Sequence, residues 1–449
     1  MTATDSQPNQ PPGPRPRSSF RAVLSGLTTR GRSFLAAGAA SAICAYVLGQ
    51  ADLLRVGLLL AALPLVCALV LHRTRDRVTG SRSLTPTRVT AHAEARVVLR
   101  VDNIARLPTG MLLLQDQVPY VLGPRPRFVL DRVEPGGHRE VSYQVRSDMR
   151  GRYSLGPLQL RLTDPFGMVE LARSFQGHSE LTVVPHTEPL PPVRLSGENS
   201  GYGESRQRAL ALAGDDDVIP RGYQHGDDVR RVHWRSTARY GELMVRREEQ
   251  PQRSSCTVLL DTRAHAHVGA GPDSPFEWAV SAAASVCLHL LERDYSVRLV
   301  TDTGDIGGAA LGTFADGSDT AGLIMDLLAV VRHSEEEQLS SAYRALRGGE
   351  DGGQDGMLVA FLGTLDLEDA SVVARMRRRS GRALALCVDE ASWTGQLTPG
   401  GEPDGSPQRA LREAGWQVQP VVAGSSMPRL WQQLGGGAQL GAASLGGHP

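Results

Sequence analysis

CTVLLD (256–261), PFEWAVSAAASVCLHLLERD (275–294) and SVRLVTD (296–302) are the three consecutive stretches on which the fold turns. The first is a short, nearly continuous apolar run of strand length, and the last is a strand-length run rich in Val and Leu with Arg298 inside it. The middle one is three times as long, with apolar residues recurring at helical spacing. A strand that is apolar on both faces and followed by a helix belongs to a parallel sheet, because parallel neighbours need a crossover and the crossover covers the sheet.

The same alternation continues downstream through DTAGLIMDLLAVVR (319–332), GMLVAFLG (356–363), LEDASVVARMRRR (367–379), RALALCVDE (382–390), PQRALREAG (407–415), WQVQPVVAG (416–424) and MPRLWQQL (427–434). The order predicts an α/β domain over 251–435, a mostly parallel sheet with helices on both faces. The Gly-rich residues 436–449 read as a flexible tail.

Upstream the pattern changes. ARVVLRVDN, MLLLQDQV, RFVLDRV, REVSYQV, LGPLQLRLTD and LTVVP read as short strands, with PGG at 135–137 as a turn. They predict a small antiparallel sandwich or barrel over 84–190, taken as a β-sandwich and a scaffold by default. Residues 191–250 form a polar connector that ends in a charged cluster.

Further upstream, FLAAGAASAICAYVLG (34–49) and LLRVGLLLAALPLVCALVL (53–71) are separated only by Gln50, Ala51 and Asp52. Paired apolar segments of this length predict a transmembrane helical hairpin over 34–72. Arg15, Arg17, Arg21, Arg30 and Arg32 precede it, and Arg73, Arg75, Arg77 and Arg82 follow it. By the positive-inside rule both outer ends face the cytoplasm, giving a multi-pass protein of the cell membrane with most of its chain on the cytoplasmic side. Arg55 lies just inside the second span and must reach back to the turn. A signal peptide is the competing reading of TRGRSFLAAGAASA, opposed by the second span directly behind it. Residues 1–33, rich in Pro, Gln and Ser at their start, read as a disordered cytoplasmic tail.

The 449 residues carry no formal net charge, so no global attraction to nucleic acid is implied. The five cysteines, Cys44, Cys67, Cys256, Cys287 and Cys387, show no metal or disulfide spacing and read as buried free thiols.

Open α/β sheets bind ligands beyond the carboxyl ends of their strands. The first strand ends in LLDTRAH, and Asp261 there resembles the start of the Asp-x-Ser-x-Ser loop with which von Willebrand factor A domains hold Mg²⁺. Arg263 and His265 stand at the two serine positions. Arginine keeps its proton and cannot ligate a metal, so Asp261 is a weak metal candidate. The alternative is a strand-end carboxylate that pairs with Arg263 or caps a helix. Neither a Walker-type loop nor a dinucleotide-binding glycine motif occurs, and no cofactor is expected.

GDDVRRVHWRSTAR (226–239) is the densest polar cluster. Gly226 permits a turn, Asp227 or Asp228 caps a helix, and Gly241 closes it. A helix over 228–240 lines up Arg231, Arg235 and Arg239 on one stripe, sets Arg230, Trp234 and Ala238 on the next, and leaves Val229, Val232 and His233 as an apolar edge. ELMVRRE then reads as a strand. Three uses fit: a clasp pairing arginines with carboxylates of the flanking domains, a partner-docking surface, or phosphate contact. His225, Asp227 and Ser236 can be drawn as a triad, but none lies in a nucleophile elbow, so the expectation is a non-enzyme.

RGYQHGDDVRRVHWRSTARYGELMVRREE (221–249) resembles the signature of the bacterial family called domain of unknown function 58. The matching positions are Arg221 and Tyr223; Gly226 and Asp227; Arg230 or Arg231; Trp234; Thr237, Ala238 and Arg239; then Leu243, Val245, Arg246 and Glu249. RGRYSLGPLQLRLTDPFGM (150–168) is similar to the family's sandwich, with its Gly-Pro and Asp-Pro-Phe-Gly elements. The resemblance implies a membrane-anchored protein with a von Willebrand factor A-like domain. It also implies association with a MoxR-type AAA+ ATPase and a transglutaminase-like membrane protein. The resulting expectation is an adaptor or scaffold in an assembly or envelope-related system. Arg221, Tyr223, Gly226, Asp227, Arg231, Trp234, Arg235, Ala238, Arg239 and Arg246 are its docking residues, and nucleic acid is not a partner. The alternatives are a hydrolase on an envelope precursor, using His225, Asp227 and His233, and a Mg²⁺-dependent binding module at Asp261.

Overall fold

The computed structural model describes residues 26–75, 77–106, 108–193, 221–223, 232, 234–245, 255–306, 317–348, 356–395 and 406–442. Two compact units divide the chain at Val183 and Val184.

The first unit opens with two helices, α1 (Thr29–Leu48) and α2 (Ala51–Arg75). Both are long and apolar enough to cross a membrane, and only 17% and 22% of their apolar windows are buried within the protein. That low burial distinguishes them from the core helices of a globular domain and supports membrane anchoring. Gly38 and Gly57 let them approach: a Cβ on Gly38 would stand 2.8 Å from both the Ala61 amide nitrogen and the Gly57 carbonyl oxygen. Arg55 reaches back to the turn, donating to Asp52 at 2.9 Å. Cys44 is exposed on α1, unlike the other four thiols, so the expectation of buried cysteines fails at that one position. An outward-facing position on an apolar hairpin needs only an apolar side chain, and cysteine serves as one.

The same unit contains β1 (Val78–Thr85), β2 (Arg88–Thr90), β3 (Glu94–Asn103), β4 (Met111–Asp116), β5 (Arg127–Leu130), β6 (His138–Arg146), β7 (Gly151–Leu155), β8 (Leu158–Thr163), β9 (Glu170–Phe175) and β10 (Ser179–Val184). They form sheets of order β1-β3-β6, β2-β10-β7 and β5-β4-β8-β9. Strict alternation in β3 sends Ala95, Val97, Leu99 and Val101 inward, where Leu112, Leu114, Leu160 and Leu162 complete one core. Arg82 on β1 and Asp116 on β4 form a buried ion pair, to which the Tyr143 hydroxyl adds a donated bond of 2.6 Å.

The Asp-Pro-Phe-Gly turn joins this sandwich to the hairpin. Asp164 accepts from the Phe166 and Val169 amides at 3.0 and 2.6 Å, and Gly167 takes a φ of 68° that only glycine adopts freely. The turn then presents two carbonyls to Thr28, the N-cap of α1, whose hydroxyl donates to Gly167 and Met168 at 2.7 and 3.0 Å. Leu27 is buried beside it. Residues 26–33, read from sequence as part of a disordered tail, are therefore ordered by contacts that lie more than a hundred residues away. Residues 1–25 lie outside the described residues.

The second unit is built on a six-stranded sheet: β13 (Ser255–Leu260), β14 (Ser296–Thr301), β15 (Gly304–Asp305), β16 (Met357–Leu362), β17 (Arg382–Val388) and β18 (Gln417–Val421). Its order is β15-β14-β13-β16-β17-β18, parallel except for the short edge strand β15. Among the described residues the α-helices of this unit are α3 (Trp234–Tyr240), α4 (Pro275–Leu291), α5 (Gly317–Val330), α6 (Ser340–Gly348), α7 (Leu367–Met376), α8 (Glu390–Trp393), α9 (Pro407–Glu413) and α10 (Met427–Ala442). Every residue of β16 is buried, as a strand covered on both faces requires. One core packs α4, α5 and α10 on one face, and a second packs α6, α7 and α9 on the other.

The alternation read from sequence is thus present as a doubly covered, mostly parallel sheet. One difference is at the end: α10 continues past Gly435 to Ala442 instead of giving way to a loose tail. Gly435 lies so close to Val193 that no side chain fits there, which gives a packing reason for a glycine inside the helix.

Candidate functional site

In a doubly wound sheet the order reverses at one point, and ligand crevices open there beyond the carboxyl ends of the strands. Here the reversal lies between β13 and β16, with β14 on the other side of β13. Asp261, Asp302 and Gly363 follow the ends of these three strands directly.

The centre of this position is filled by a protein cation. Arg263 is fully buried, and its guanidinium forks onto Asp261, Nε to Oδ1 at 2.9 Å and Nη2 to Oδ2 at 3.0 Å. Its Nη1 donates to Asp369 at 2.8 Å and to the Glu337 carbonyl at 3.2 Å. Desolvation alone lowers an arginine's proton affinity, but the bonds to Asp261 and Asp369 outweigh it and hold this guanidinium above its ordinary value.

Asp369 occupies the first turn of α7, whose N-cap Asp366 accepts from the Asp369 amide at 2.6 Å. A carboxylate there is favoured by the positive end of the helix. The remaining capacity of Asp261 is taken by backbone: Oδ1 accepts from the Arg263 amide and Oδ2 from the Gly363 amide, both at 3.2 Å.

A third carboxylate lies beside them. Buried Asp302 accepts from the Thr262 amide at 2.7 Å and from the hydroxyls of Thr262 and Ser334. Ser334 in turn donates its amide to the Thr262 carbonyl at 2.8 Å, so the 331–337 loop is laid along the strand end. His267 donates through Nε2 to the Asp261 carbonyl at 2.8 Å. Burial lowers its pKa first, with His333 and Arg263 acting in the same direction and Asp261 opposing. His333 stacks on Phe276 at 4.0 Å beside it. An open cleft of about 670 Å³, lined by Thr303, Ser334, Glu335, Glu336, Glu337, Gln338 and Ser340, adjoins this network.

These residues do not fit a divalent ion. Mg²⁺ needs several free oxygens at octahedral positions, whereas both oxygens of Asp261 are saturated and the positive charge between Asp261 and Asp369 is already supplied. Among the described residues, no three His, Cys, Asp or Glu side chains converge as a metal group. The pairing with Arg263, one of the two alternatives weighed for Asp261, is the arrangement found. Asp302, Ser334 and Asp369 were not singled out from sequence. The strand-end rule applied to SVRLVTD would have found Asp302, and a capping pattern in DLED points to Asp369.

The described residues of the signature form a small clip. Strands β11 (Arg221–Gly222) and β12 (Met244–Val245) pair antiparallel, and the Tyr223 amide donates to the Leu243 carbonyl at 2.7 Å. Between them α3 spans Trp234–Tyr240, and Val232 before it is a bridge residue outside the helix; residues 228–231 and 233 of the helix expected over 228–240 lie outside the described residues. Gly241, at φ 74°, closes it with a bond from its amide to the Thr237 carbonyl. The Thr237 hydroxyl accepts from the Met244 amide at 3.0 Å, tying helix to strand. Val232 is buried, whereas Trp234 is 71% and Tyr240 64% exposed, with Tyr223, Ala238, Arg239 and Leu243 also at the surface. His225, Gly226, Asp227, Arg230, Arg231, His233 and Arg246 lie outside the described residues, as do the side chains of Arg221, Arg235 and Ser236. The triad and most of the arginine stripe fall in that group.

Residues 220–350 match the family model described as Protein of unknown function DUF58. No curated protein matches the chain significantly. Solved structures with local likeness include a CARDB domain from Pyrococcus furiosus, 13% identical over 24% of this chain and 91% of that one, with a TM-score of 0.18. An alkylpurine DNA glycosylase from Pseudomonas fluorescens is 15% identical over 29% of this chain and 38% of that one, with a TM-score of 0.17. A sporulation control protein from Bacillus subtilis is 13% identical over 24% and 50%, with a TM-score of 0.16.

Proposed function

The chain belongs to the DUF58 family, and from that premise we propose that it is a membrane-anchored, non-enzymatic adaptor that docks a partner through the surface of its signature helix. The observation that carries this reading is the outward Trp234, with Tyr240, Arg239 and Leu243 around it. A tryptophan with most of its surface in water is a poor use of an indole in a monomer, and Trp, Tyr and Arg are the preferred anchors of protein interfaces.

The α/β unit is read as von Willebrand factor A-like, supported by its doubly wound sheet with an antiparallel edge strand and by Asp261 at the first strand end. It works without a divalent ion, because Arg263 supplies the charge. The partner put forward is a MoxR-type AAA+ ATPase, with a transglutaminase-like membrane protein in the same assembly. The sequence has no nucleotide motif of its own, so any work the assembly performs draws on a partner's nucleotide cycle. Both ends of the hairpin are assigned to the cytoplasm, which gives the adaptor access to such an ATPase.

Cross-linking in intact membranes, followed by detergent extraction and recovery of the full chain, tests the reading. An AAA+ ATPase recovered with the wild type and lost with Trp234→Ala supports it. Equal recovery with both, or no ATPase with either, removes it.

A further inference from the structure

The carboxyl-terminal part of α2 presents two apolar faces. Leu63, Cys67, Ala68 and Leu71 pack into the sandwich core together with Val169 and Leu171, while Leu65, Val66, Leu69 and Val70 are 42–55% exposed on the other side. All eight lie within the apolar span Ala51–His72. At 1.5 Å per residue, Cys67 to His72 covers the last ~8 Å of that span. A bilayer that covers Leu65 to Val70 therefore reaches the edge of the sandwich packed at the same level.

That edge is identifiable. The 164–168 turn caps α1 through Thr28. The Ile104 amide donates to the Arg77 carbonyl at 2.8 Å, just beyond the end of α2. Gly110, just before β4, lies against the Thr163 carbonyl at the start of the turn. Three large apolar side chains are exposed here: Ile104 at 64%, Met111 at 60% and Phe166 at 58%. Arg30, Arg32, Arg77 and Arg106 are exposed around them, and Arg30 Nη1 lies over Gly167. The acidic Glu134 of the neighbouring 134–137 turn is paired with Arg132.

We propose that this rim is a lipid-binding surface: Phe166, Met111 and Ile104 enter the boundary between headgroups and acyl chains of an anionic bilayer, and the four arginines meet lipid phosphates. Apolar side chains ringed by arginine, continuous with an apolar hairpin, match the chemistry of that boundary on both counts. The sandwich is thereby seated in the membrane surface and not tethered above it. The inference rests on the membrane reading of the hairpin, and the test separates the two.

Full-length protein is reconstituted in phosphatidylglycerol vesicles whose acyl chains are brominated near the headgroup. Tryptophan emission is compared between wild type and Phe166→Trp, Tyr46→Trp and Tyr120→Trp. Tyr46 is on the hairpin and 90% exposed. Tyr120 follows the opposite end of β4, roughly 17 Å along the strand from Met111. The added emission at 166 is expected to be blue-shifted and quenched as at 46, while that at 120 is not quenched, and quenching at 166 falls in neutral phosphatidylcholine vesicles. Quenching at 46 but not at 166 overturns the rim proposal alone, and no quenching at 46 overturns the hairpin and the rim together. Undiminished quenching at 166 in neutral lipid overturns the role of the arginines. Ile104→Trp repeats the measurement if the melting temperature of Phe166→Trp falls.

Discussion

Arg263 grips both carboxylate oxygens of Asp261 in a fully buried site at the end of the first parallel strand, and its remaining nitrogen holds Asp369 in the first turn of α7. One side chain thus ties the strand end to the first turn of α7 and, through the Glu337 carbonyl, to the 331–337 loop. Removing it leaves two buried carboxylates facing each other without a counter-charge. Arg263→Ala is therefore expected to cost about 3–5 kcal/mol, the range for breaking a buried pair from one side, measured by urea unfolding. The same variant frees hard oxygen donors, so millimolar Mn²⁺ is expected to raise its melting temperature while leaving the wild type unmoved. A wild-type response to Mn²⁺ equal to the variant's contradicts the assignment of Arg263 as the resident cation.

His267 gives the sheet end a pH dependence of known sign. Burial holds its folded pKa below the ordinary histidine value, so the unfolded chain takes up the proton first. Its contribution is complete above about pH 6.5 and is lost as pH falls from there toward the lower folded value. His267→Gln retains a donor for the Asp261 carbonyl but cannot titrate. Between pH 7 and 5 the variant is expected to lose less stability than the wild type by differential scanning calorimetry, and parallel curves would show that His267 does not titrate between the two states.

The α/β sheet was legible because its signal is local and strong: apolar runs such as MLVAFL have no reading other than a strand covered on both faces once helices flank them. The ends of elements were less legible. β1 begins at Val78, six residues before the expected sandwich, because its partners on β3 decide it and its own composition, VTGSRSLT, is neutral. The strand-end site was half legible. Asp261 and Arg263 are two residues apart and suggest each other, whereas Asp369 lies 106 residues from Arg263, and only the crossover through β16 brings it there. Thr28 is similar, since nothing near it in sequence announces a cap seated on residues 167 and 168.

Close helix contact in the hairpin depends on two glycines. A side chain at Gly38 meets backbone atoms of α2 at 2.8 Å on two sides, and backbone cannot move aside as a flexible side chain can. Gly38→Leu is expected to separate the helices and lower the melting temperature in detergent, whereas Ala36→Leu, on the exposed side of α1, leaves it unchanged. Equal effects from the two substitutions would mean that the hairpin contact contributes nothing to stability.

The signature clip makes opposite demands of neighbouring residues, which separates docking from architecture. Thr237 fixes α3 to β12 through the Met244 amide, so Thr237→Val is expected to cost about 1 kcal/mol, the net worth of one hydrogen bond plus the group left unsatisfied. Trp234 stands mostly in water, 71% exposed, and Trp234→Ala is expected to change stability by less than about 0.5 kcal/mol, as surface substitutions do. If the indole is a docking anchor, its removal weakens recovery of the partner at unchanged stability, while Thr237→Val weakens recovery only in proportion to unfolding. Chemical denaturation and quantitative pull-down on both variants distinguish these. A Trp234→Ala protein that is markedly less stable would mark the indole as part of the fold, and the docking surface would have to be sought elsewhere on the unit.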